Sequence, residues 1–186
     1  MTLRRGENVA LTREIPSLTS VVLGVRWDAG PDAALDASLV AATLLCDSAS
    51  RVLSDEHLVF FNQLVSPDLS VAQLTAAVGS DKEQIEVDLH DVPAEVERLV
   101  VALYINDGVA ARRTLGQLRS CAIRVLDRED NRELVSSEEL ATVLSTETAL
   151  VLGELYRHRS GWKFKVIGQG YESGLRGVAQ DYGVRL

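Results

Sequence analysis

Basic residues are scarce in this chain: 19 lysines and arginines face 27 aspartates and glutamates, for a net charge of −8. Proteins that bind phosphate backbones draw on basic patches that release counterions, so no nucleic-acid partner is expected. Long apolar runs are also missing. Leu18 to Val25 and Leu39 to Leu45 fall well short of the roughly 18 residues that a helical membrane span requires, so no membrane span is expected. The opening Met-Thr-Leu-Arg-Arg is not followed by the apolar core of a secretory signal, and the expected location is cytoplasmic. There are only two cysteines, Cys46 and Cys121, far apart on apolar segments; they read as buried free thiols, and the want of paired cysteines disfavours zinc.

Catalytic signatures are lacking as well. No Gly-x-Ser-x-Gly elbow and no His-Glu-x-x-His cluster occurs, and His57, His90 and His158 have no nucleophile in a recognisable setting. Gly168, Gly170 and Gly174 stand at first, third and seventh places, one too far for the dinucleotide fingerprint. Glu147 and Glu154 read as hydrogen-bonded rim residues. The expectation is a protein that is not an enzyme.

What remains is the composition of a packed globular protein, 46% hydrophobic and 25% charged over 186 residues. A chain of that size buries about two-thirds of the surface its unfolded form exposes. With no internal repeat, low-complexity tract or linker, residues 1–186 are read as a single domain. Period-two alternation dominates: Val21, Leu23, Val25 and Trp27; Ile85, Val87 and Leu89; Cys121, Ile123 and Val125; Trp162, Phe164 and Val166 between Lys163 and Lys165. Ala149 to Tyr156 precedes the polar turn Arg157-His158-Arg159-Ser160-Gly161, the pattern of a hairpin. Leu39 to Cys46, Leu58 to Leu64 and Leu99 to Ile105 read as strands covered on both faces.

Many short strands separated by Gly, Pro, Asp and Ser favour an all-β fold, a β-sandwich of two mainly antiparallel sheets with a few short helices. Asp91-Val92-Pro93-Ala94-Glu95 reads as a single helical turn capped by Asp91. Ser173 to Gly183 reads as the one longer helix. Asn106-Asp107-Gly108 and Asp127 to Asn131 read as polar turns. The basic turn with Lys163 and Lys165 reads as a solvated strand face, with an acidic partner or an anionic membrane face as the alternative.

Several blocks resemble one family. Leu53-Ser54-Asp55-Glu56-His57-Leu58-Val59-Phe60-Phe61-Asn62-Gln63-Leu64, with Ser66-Pro67-Asp68, is similar to the LSDEHFVFYNxLxSPDGS segment of the TerD family of tellurite-resistance and stress proteins. Ser145 to Arg157 resembles that family's STETAMVFGELYR, and Trp162 to Leu175 its WKFRAVGQGYxxGL. The resemblance implies the same sandwich, a role beside other stress-response proteins as partners, and calcium binding in loops at one end.

Trp27-Asp28 reads as the end of one strand and Leu35 to Ser38 as the opening of the next; carried over by position, the metal ligands implied are Asp28, Asp36, Asp81 and Glu83, which a sandwich can gather at one end. Calcium takes six to eight oxygen ligands, so loss of any one matters. Here the first aspartate of the family's DLDAS has become Ala34, the preceding loop is shortened, and Lys82 stands at an aspartate position. Two readings follow. One is a calcium-binding scaffold; the other is a metal-independent protein-interaction domain in which Lys82 stands in for the ion.

Overall fold

The computed structural model describes residues 1–106 and 112–186. Its first sheet has six strands: β1 (Thr2–Leu3), β3 (Ser20–Asp28), β6 (Val71–Gln73), β7 (Glu83–Asp88), β9 (Ser120–Asp127) and β10 (Glu133–Ser137), in the order β1-β10-β9-β3-β7-β6. Its second sheet also has six: β2 (Asn8–Val9), β4 (Leu39–Cys46), β5 (Leu58–Val59), β8 (Arg98–Ile105), β11 (Ala149–His158) and β12 (Gly161–Tyr171), in the order β2-β12-β11-β8-β4-β5. Every strand pair is antiparallel except β1 with β10. The two sheets form the sandwich expected from the alternation.

That alternation is what closes the layers. Val21, Leu23, Val25 and Trp27 of β3 all point inward, and the rungs Val21↔Val87 and Leu23↔Val125 continue the apolar face across β7 and β9. Phe164 and Val166 of β12 meet them from the second sheet. Each such side chain contributes about 1.5–3 kcal/mol when fully buried.

The continuous apolar runs of β4 and β8 have a second cover. Ala42, Leu44, Val100, Ala102 and Tyr104 face away from the sandwich core, under Val178 of the C-terminal helix Leu175–Tyr182. Gly183 ends that helix in the left-handed conformation (φ +76°), and the N–H of Val184 donates to the Ala179 carbonyl at 2.9 Å. Cys46 and Cys121 are buried and unpaired, as expected. Among the described residues, no helix is long and apolar enough to cross a membrane.

Three local expectations are corrected. The strand read over Leu58 to Leu64 is only Leu58–Val59, because Phe60 and Gln63 exchange backbone hydrogen bonds at 3.0 Å and fold the chain into a tight turn. Asp91 does not cap a helix. Its segment runs as turns, with Asp88 accepting from the His90 N–H at 3.1 Å. Leu35 to Ser38 does not open a strand but lies in a short helix, Ala33–Ser38, whose first turn is capped by Asp32 accepting from the Leu35 N–H at 3.0 Å. Beyond Asn106, the turn read at Asn106-Asp107-Gly108 lies outside the described residues.

Candidate functional site at the acidic-loop end

Two of the four expected ligands meet. Asp28 ends β3, where its carboxylate accepts from the Gly30 N–H at 2.8 Å. Asp36 sits in the capped helix, turned back onto Trp27. The buried indole must place its one N–H somewhere, and it donates to Asp36 Oδ1 at 2.7 Å. Asp28, Asp36 and Lys82 line an open cleft of about 430 Å³ with Trp27, Gly30 and Pro31. Into this cleft the lysine brings its ammonium, with Nζ 3.2 Å from Asp36 Oδ1.

The other two carboxylates are elsewhere. Asp81 is fully buried on the outer face of the first sheet, over Gly24. Arg124 Nε donates to Asp81 Oδ1 at 2.9 Å, Arg124 Nη2 to Oδ2 at 3.0 Å, and Gln84 Nε2 to Oδ2 at 2.7 Å. Such a forked guanidinium contact leaves little lone-pair capacity for an ion. Glu83 faces inward instead: its Oε2 accepts from the Ala41 N–H of β4 at 3.0 Å and from Gln73 Nε2 at 2.8 Å, tying one sheet to the other. Burial pushes its carboxyl above the usual range, against the pull of those two donors.

A calcium ion needs six to eight oxygens at about 2.3–2.6 Å. Here an ammonium shares the cleft with two aspartates, and among the described residues no three His, Cys, Asp or Glu side chains are grouped to hold a metal. As arranged, the residues do not fit the ion. Asp32 is the member of this end that sequence reasoning passed over. Besides capping the helix it accepts from Arg113 Nε at 2.9 Å, and that hydrogen bond, with the Leu35 N–H, holds its carboxyl below the usual range. An aspartate three residues before a buried leucine was the signal for the cap.

The TerD domain family model matches residues 1–182. The chain belongs to the TerD family. Similar TerD-family proteins include the tellurium resistance protein TerD of Serratia marcescens, 37% identical over 99% of this chain and 97% of its own length. General stress protein 16U of Bacillus subtilis (strain 168) is also 37% identical, over all of this chain and 98% of its own. Among solved structures, a TerD homologue from Streptomyces coelicolor A3(2) superposes with a TM-score of 0.66, covering 88% of this chain and 96% of its own at 19% identity, a likeness of fold alone.

The TerD blocks read in the sequence fold as structural clasps. His57 Nδ1 is 2.7 Å from Ser54 Oγ, three residues before it, closing a local turn. Asp68 gathers Ser66 Oγ (2.9 Å), the Ser70 N–H (2.8 Å) and the Ser70 hydroxyl, and these bonds hold its carboxyl below the usual range although burial raises it. Glu154 is buried and accepts from Arg98 Nη1 at 2.7 Å, while Glu147 accepts from the Ser145 N–H at 3.1 Å. Each of these groups is hydrogen-bonded to a residue nearby in the fold.

Proposed function

We propose that this TerD-family protein serves in stress response or tellurium resistance as a non-catalytic, metal-independent interaction domain, with Lys82 filling the place a cation takes at the acidic-loop end. The observation that carries this reading is the 3.2 Å contact between Lys82 Nζ and Asp36, with Asp81 withdrawn onto Arg124. The relatives named for tellurium resistance and general stress support the setting. A reducing, cytoplasmic location accords with the unpaired thiols of Cys46 and Cys121.

The partners are proteins of the same stress response. Affinity capture from the native cytoplasm tests this: the same proteins are recovered with and without chelator. Recovery only in calcium overturns the reading and returns the protein to the calcium-gated scaffolds.

A further inference from the structure

At the far end of β3 from the acidic loops, beyond the Ser20↔Asp88 rung, Leu18 and Leu89 floor a second cleft of about 630 Å³. It is lined by Arg13, Arg157, Arg159, Lys163, His90 and His158, and, among the described residues, by no aspartate or glutamate. That is an inversion of the rest of the surface, since the chain as a whole carries a net charge of −8.

The charges here are left unneutralised. Arg157 is the anchor: its guanidinium stacks 4.5 Å over the Trp162 ring and donates to the carbonyls of Val92 (2.8 Å), Pro93 (3.0 Å) and Val96 (2.9 Å). Carbonyl dipoles and a ring face hold the group rigid without cancelling its charge. Lys163 Nζ donates to the neutral Asn8 amide at 3.3 Å. Among the described residues, Arg157, Arg159 and Lys163 form no ion pair with a carboxylate; Arg13 meets only the exposed Glu14 at 3.5 Å. Arg159 begins the two-residue turn between β11 and β12 with φ +59°, a conformation that favours glycine. The turn thus keeps an arginine at the cleft mouth against its backbone preference.

We propose that this cleft binds a compact oxyanion, with Arg159 and Arg13 closing on it above the fixed Arg157. Cations in a concave setting without carboxylates among its described lining focus potential on a small anion, and guanidinium forks match the paired oxygens of oxyanions. The concavity suits a small solute better than the flat face of a bilayer. The anion's source is either a phosphate compound or a mineral oxyanion such as tellurite.

The test is titration of the isotope-labelled full chain with pyrophosphate, and separately with tellurite, at constant ionic strength set with chloride, following amide resonances. Binding by at least one of them with a Kd of about 1 mM or tighter, with shifts concentrated at residues 12–13, 90 and 158–163, supports the site, and which anion binds identifies the source. The double variant Arg13→Ala with Arg159→Ala is expected to weaken binding about tenfold or more, with an unchanged circular dichroism spectrum. Absence of binding by both anions, shifts centred on the acidic-loop end, or equal affinity in the double variant overturns it. So does sedimentation with phosphatidylglycerol vesicles without binding of either free anion.

Discussion

Lys82 Nζ lies 3.2 Å from Asp36 Oδ1, the same oxygen that accepts the Trp27 indole N–H at 2.7 Å. A positive charge and a donor from the core therefore converge on one carboxylate oxygen. The first residue belongs to the loop before β7 and the second to the helix after β3, so the pair joins two segments that would otherwise be linked only through the sheet. Both side chains are about two-fifths exposed. A pair so wetted contributes no more than about 1 kcal/mol; its significance is positional, since it sets an ammonium where an ion would need oxygen.

Removing Asp81 is expected to cost far more. Arg124 is largely buried, and deletion of Asp81 leaves its guanidinium only the more exposed Glu133, 3.5 Å from Nη1, at a cost of about 3 kcal/mol. Gly24→Ala attacks the same cluster from below, because its new methyl would lie 2.1 Å from Asp81 Oδ2. Clamped by Arg124 and Gln84, the carboxylate has nowhere to withdraw, and a loss of about 1–3 kcal/mol is expected. Urea denaturation of Asp81→Ala and Gly24→Ala measures both; wild-type stability in either would deny that the cluster is rigid.

Glu83 makes a pH-dependent prediction. Its carboxyl is raised in the folded state by burial, so between the unfolded value near 4.5 and the folded one the native state holds the extra proton. This group therefore destabilises the fold above its folded value, and the penalty fades as pH falls through that value toward 4.5. Glu83→Gln removes the charge, keeps an acceptor for the Ala41 N–H, and offers a donor to Gln73 Oε1, which is buried without a partner. It is expected to match or exceed wild type at pH 7.5, by up to about 1 kcal/mol, with the advantage narrowing toward pH 4.5. Glu83→Ala instead strands two donors and is expected to lose about 2 kcal/mol. Denaturation midpoints across that pH range decide; an advantage that widens on acidification has the wrong sign.

Leu69 occupies the glycine place of the SPDGS pattern, with φ +67° and three-quarters of its surface exposed. A leucine there bears about 1–2 kcal/mol of left-handed strain with little burial in return. Leu69→Gly relieves the strain while adding about 0.5–1 kcal/mol of unfolded-chain entropy. A net gain of up to about 1 kcal/mol is expected, read as a higher thermal midpoint; a lower one would mean that the exposed side chain has a stabilising contact.

The sandwich was legible because each inward face announced itself by alternation, as in Val21, Leu23 and Val25, and because the doubly covered β4 and β8 showed unbroken apolar runs. Side-chain partners were less so. Asp81 and Glu83, two residues apart, would share a face if both lay in one strand, but β7 begins at Glu83, and Asp81 in the loop before it turns to the opposite side. Only Lys82 was placed by residue type alone, since a cation at an aspartate position needs a nearby carboxylate and Asp36 supplies it. The turn at Phe60 to Gln63 escaped notice because its apolar residues imitate a strand while leaving Phe61 half exposed.

The most direct test of a metal-independent loop end is thermal melting of the wild-type chain in millimolar calcium and in chelator, alongside Lys82→Asp. Ligand binding to the native state raises stability by mass action, about 2.7 kcal/mol at one hundred times Kd. The wild-type midpoint is expected to be the same in both solutions, and the variant, with a third carboxylate facing Asp28 and Asp36, is expected to gain a calcium-dependent rise. A wild-type midpoint that climbs with calcium would contradict the account.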